Sequence, residues 1–135
     1  MVDLPSPSAV SEFIAREPYN QAGLFAEHLI WSFANLLGRT MWEFLGPAAD
    51  RFLVLARGSQ PPRPVPLADV PPDLRSRLIL YGELRTLGSS AAVGTALALQ
   101  APDRETVLAL LGRMWARPRD LADIEIHDWE FGGRR

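Results

Sequence analysis

Few side chains in this 135-residue chain can do chemistry, and they are scattered along it. His127 stands beside Asp128, but neighbours on an extended strand point to opposite faces, so the two do not form a carboxylate–imidazole pair. Glu125 and Trp129 share the His127 face instead, which leaves His127 for substrate binding or for a surface or interface role. Arg113 and Arg117 are one helical turn apart, with Arg119 close behind. They can hold a substrate carboxylate in a bidentate fork or simply line a solvated helix face. The tryptophans at 31, 42, 115 and 129 can line an aromatic pocket or pack a core. The expectation adopted for Trp31, Trp42 and Trp129 is a subunit interface.

Composition removes several classes. There is no cysteine, so disulfides, thiolate metal sites and cysteine nucleophiles are excluded, and two histidines are too few for a histidine-rich metal site. No Gly-rich phosphate loop, nucleophile elbow, zinc spacing or calcium loop occurs, so no metal or other cofactor is expected. The cations are all arginine, dispersed rather than gathered, and the formal net charge is -2, which argues against a nucleic-acid partner. With 47% hydrophobic and 22% charged residues the chain has globular composition and length for one core. No apolar run is long enough to span a bilayer, and MVDLPSPSAV has no charged n-region, so no membrane is involved and the expected location is cytoplasmic.

The elements follow from periodicity and punctuation. SPSAVSEFIAR predicts a helix with Ser6 as cap and Pro7 in its first turn, ended by Pro18. Alternation over HLIWSF, 28–33, predicts a strand, and 35–47 a connector with apolar anchors. RFLVLAR, 51–57, predicts a central strand. A proline-rich loop follows over 58–72, then DLRSRLILYGEL as a helix with Leu74, Leu78 and Tyr81 on one face. AVGTALALQ, 92–100, predicts a strand in which Gly94 permits a bulge or close approach. A helix capped by Asp103 carries Val107, Leu110, Leu111 and Met114 as its stripe and stops near Pro118. IEIHDWEF, 124–131, closes the chain as a strand before a frayed GGRR tail.

The two ends repeat. Val10, Phe13, Ile14 and Arg16 recur in spacing as Val107, Leu110, Leu111 and Arg113, and Trp31-Ser32-Phe33 echoes Trp129-Glu130-Phe131. The predicted unit is strand, helix, strand at 1–33 and again at about 97–131.

EPYNQAGLF, 17–25, resembles the D-P-[FY]-x-x-A-G-L segment of the YCII-related (YciI-like) family, FLVLARG resembles that family's first strand, and IEIHDWEF its last. The resemblance implies an α+β fold of ferredoxin-like β-α-β-β-α-β units pairing as a dimeric α+β barrel with antiparallel sheet. Residues 1–46 then correspond to the back half of one unit and 47–135 to a whole one, together one compact domain, with a homodimer and a small organic acid as the implied partner and ligand. The family's acid maps onto Glu17, and RPVPL, 63–67, resembles its R-P-x-H segment with Pro66 where histidine would stand. Proline transfers no proton, so the Asp–His pair is degenerate, and His28 is the histidine that can substitute beside Glu17 or else a half-buried histidine with a water or backbone partner. The resulting expectation is a non-catalytic small-molecule-binding or assembly module. The alternative is a small lyase or isomerase acting by proton transfer on an organic acid, with Glu17 and His28 as its catalytic groups.

Overall fold

The computed structural model describes residues 3–47, 49–57, 63–115 and 124–130. Inside its sheet lies β2 (Arg51–Arg57), where Phe52, Val54 and Ala56 are buried and the residues between them half-buried, the period-two pattern of a strand with two unlike faces. β2 pairs on one side with β4 (Ala92–Gln100) and on the other with β5 (Ile124–Asp128). β4 also pairs with β3 (Leu78–Thr86), and β3 with β1 (Trp31–Asn35). The result is one antiparallel five-stranded sheet of order β1-β3-β4-β2-β5 in an α+β chain. From Arg51 onward the chain runs strand, short helix, strand, strand, helix, strand, with β4 inserted between β2 and β3, and β1 lies at the outer edge of β3. That order is compatible with a ferredoxin-like unit carrying an added edge strand.

One sheet face is closed by α4 (Arg104–Met114), which Asp103 starts by accepting the Thr106 backbone N–H at 2.7 Å. This hydrogen bond holds the Asp103 carboxyl below the usual carboxylate range. Val107, Leu110, Leu111 and Met114 repeat at helical spacing and are buried against Phe52, Val54, Leu97 and Leu99. Full burial of a leucine such as Leu111 stabilises by about 1.5–3 kcal/mol. The other face is covered by side chains and by the 35–47 connector. Ile79, Leu80 and Ala98 are buried there under Phe33, Met41, Phe44, Leu53 and Trp129. The connector is held by a 3-10 turn, Met41–Glu43, whose Glu43 carboxylate accepts the Thr40 N–H at 2.6 Å and its hydroxyl at 2.9 Å.

Three expectations need correction. The helix predicted over 73–84 is only α3 (Pro72–Arg75), and Leu78 onward is strand β3. The helical spacing of Leu78 and Tyr81 has another cause: a register shift between Leu78 and Leu80 adds a residue, so two positions three apart face the same core. The strand predicted over 28–33 begins later, at Trp31, and His28 precedes it. The leading strand of the 1–33 repeat is absent among the described residues, since positions 3–6 join no sheet. The helix α1 (Pro7–Arg16) does form, with the Ala9 N–H donated to Ser6 Oγ, and helix-then-strand recurs as α1–β1 and α4–β5 at opposite sheet edges. Phe131 of the W-x-F echo and the GGRR tail lie outside the described residues.

Tyr81 is fully buried and donates its hydroxyl to the Val65 carbonyl at 2.9 Å, tying the proline-rich crossover to the sheet. Burial pushes its pKa up to about 12. A phenol whose folded pKa is raised contributes stability that is complete below the unfolded value near 10 and is lost as pH climbs toward about 12. From neutral pH upward the Tyr81 contribution to the urea midpoint should therefore be flat to about pH 10 and fall above it. Tyr81→Phe should cost about 1 kcal/mol at neutral pH through the lost hydrogen bond and remove this group's part of the alkaline fall. A variant with an unchanged alkaline profile would refute the assignment.

Candidate functional site

Glu125 and His127 are two apart on β5 and so project from one sheet face, over Leu55 and Leu53 of β2. The two carboxylate oxygens of Glu125 are divided between partners. Oε1 pairs with Nη2 of Arg57 at the end of β2, and Oε2 lies 3.1 Å from Nε2 of His127. From Glu125 the Arg57 side chain runs back across the sheet, and its guanidinium carbon sits 4.8 Å from the ring centroid of Trp31 on the far edge strand. Three strand spacings, roughly 14 Å, separate those backbones. The path exists because the residue opposite Arg57 is Gly94. A Cβ at that position would run into the Ala56 carbonyl and stand 3.2 Å from Arg57 Cγ. Arg57 thus links the two edge strands by an ion pair at one end and a cation–π contact at the other.

The residues predicted from sequence fall in different places. Glu17 caps α2 (Pro18–Gln21), accepting the Asn20 N–H at 3.0 Å. His28 is exposed in the segment before β1, edge-on to Phe25 with centroids 5.3 Å apart. Among the described residues Glu17 and His28 do not hydrogen-bond each other. Arg113 has both fork nitrogens on Asp73, at 2.5 and 3.0 Å, which ties α4 to α3 and holds the Asp73 carboxyl below its ordinary range. Arg117 and Arg119 lie outside the described residues. Trp129 packs on the second sheet face with Leu53, Trp31 carries the guanidinium of Arg57, and Trp42 is 61% exposed on the connector. Asp128 turns to the other side and pairs with Arg104 of α4.

Trp31, Trp129 and His127 are therefore brought to one face, whereas Arg113 sits on the helix that covers the opposite face. No family model, curated protein or solved structure matches this chain. Among the described residues no group of three or more His, Asp or Glu side chains can hold a metal ion, and no helix is long and apolar enough to cross a membrane.

Chemically, the array offers a carboxylate that orients an imidazole, whose second ring nitrogen makes no hydrogen bond among the described residues and can take a proton or a ligand. Glu125 was reachable from strand alternation alone. Arg57 was not, because its role depends on strand register and on the Gly94 gap. Arg57→Ala should move the Trp31 indole N–H resonance in a ¹⁵N–¹H spectrum, leave that of buried Trp115 in place, and cost about 1 kcal/mol or less in stability. An unmoved Trp31 signal would refute the bridge.

Proposed function

We propose that this chain is a YCII-like unit with a degenerate Asp–His site that works without catalysis, as an assembly or small-molecule-binding module, and forms a homodimer. What supports the reading most is the surface left by its first third. Phe13, Tyr19, Leu24, Phe25 and Leu29 are each at least 46% exposed, and α1 buries none of its residues. Trp42 and Leu45 add two more exposed apolar groups on the connector. So many large apolar side chains in one chain segment mark a surface that another molecule covers. Glu17, engaged as a helix cap, and Pro66, in the place of a proton carrier, support the absence of inherited proton transfer. Native mass spectrometry should give a dimer, and Trp42→Ala combined with Leu45→Ala should shift it toward monomer. An unchanged mass would remove the connector from the interface.

The second reading, proton transfer on a small organic acid, is favoured by the Glu125–His127 pair beside Arg57. It expects the chain to exchange a C3 proton, next to the keto group, of some 2-oxo acid in D₂O, followed by NMR. Glu125→Gln should abolish that exchange and Glu17→Gln should leave it intact. Absence of exchange across a panel of such acids would dismiss this reading.

A further inference from the structure

We infer that the cleft between the connector after Phe44 and the α3–β3 junction binds a small organic monocarboxylate with an apolar body. This rests on the small-molecule arm of the proposed function and assigns it a place and a ligand class. The cleft encloses about 440 Å³, a volume suited to a small ligand. Phe44, Pro47, Ala101 and Pro102 supply apolar walls, and Asp73, Ser76, Arg77 and Gln100 the polar groups. Three of those groups are already engaged, the Ser76 hydroxyl by donating to the Asp73 carbonyl at 3.0 Å. The Asp73 carboxylate is forked by Arg113, and Gln100, only 5% exposed, donates its amide to the Pro47 carbonyl and fastens the connector to the end of β4.

Arg77 is different. It is exposed, lines the cleft, and makes no side-chain hydrogen bond or ion pair among the described residues. With Asp73 neutralised, the charge left facing the cleft is one guanidinium, whose planar donors fit a carboxylate. One cation among apolar walls selects a monoanion over a phosphate dianion, which needs more donors. Gly46 keeps the cleft in shape: a Cβ there would run into the Phe44 ring and lie 2.6 Å from Gln100 Oε1.

The test is a ¹⁵N–¹H NMR titration of the full chain with benzoate and with its uncharged analogue benzamide. Benzoate should shift the Gly46, Ser76, Arg77 and Ala101 amides with one saturable midpoint, and benzamide should bind roughly tenfold more weakly. Arg77→Ala, which removes no described contact and should keep the wild-type spectrum, should erase that difference. Equal binding of the two probes, benzoate shifts confined to the Arg57–His127 face, or no saturable shift would each overturn the assignment. Native mass on the same samples separates the two readings. A dimer that takes no benzoate removes the cleft and leaves assembly standing, whereas a monomer that binds it upholds the cleft and removes the dimer.

Discussion

β4 is hydrogen-bonded along both edges and buried from Gly94 to Gln100, so the layers on either side of it must be built to its two faces. Leu97 and Leu99 point one way and Gly94, Ala96 and Ala98 the other. The large face demands a thick partner, and α4 supplies it with a leucine-rich stripe at helical period. The small face leaves room for chains that lie flat. Gly94 lets the Arg57 stem cross, and Gly82 lets β1 approach, since a Cβ there would run into the Ala34 carbonyl. The sidedness of one strand thus decides that one face takes a helix and the other a mat of arginine, tryptophan and connector residues. The candidate array lies on that second face for the same reason.

What could be read from sequence follows from which forces are local. β2 and β4 coincide with their predicted spans because alternation over RFLVLAR and an apolar run over AVGTALALQ are set by burial alone. The Ser6 and Asp103 caps were legible because a cap is a contact three residues long. β3 was misread because a bulge imitates helical spacing, and bulges are fixed by the partner strand, which no local window contains. The same limit applied to the site. Alternation placed Glu125, His127 and Trp129 on one face, but the ion pair to Arg57 spans 68 positions and the contact to Trp31 needs two further strands in between.

The exposed apolar groups of 13–29 bear on the repeat. α1 and α4 have similar stripes, yet α4 buries four residues on the sheet and α1 none. Their difference is therefore one of partners, not of helix-forming sequence. A helix with an amphipathic stripe and no sheet beneath it gains its tertiary stabilisation only from contacts outside the sheet. That is the physical reason assembly weighs more heavily than catalysis in the functional reading.

All fourteen basic residues are arginine, and their use explains why arginine spacing misleads as a functional signal. Arg39 donates to the Leu78 carbonyl while lying over the Phe44 ring, Arg75 donates to the Ala68 and Val70 carbonyls, and Arg104 donates to the Ile126 carbonyl while pairing with Asp128. Arg113 forks Asp73. Arg39, Arg104 and Arg113 join segments distant in sequence, and Arg75 joins α3 to the end of the crossover before it, each through a planar group with several donors, which a lysine could not reproduce. A chain with a short α3 and a long crossover has few side-chain layers to lock those pieces together, so guanidinium staples take that part. Helical spacing of Arg113 and Arg117 therefore says nothing about a substrate until the carboxylate across from Arg113 is known, and that carboxylate belongs to the protein. An arginine without such a partner among the described residues, as Arg77 is, stands outside this stapling scheme, and the scheme is what makes its guanidinium informative.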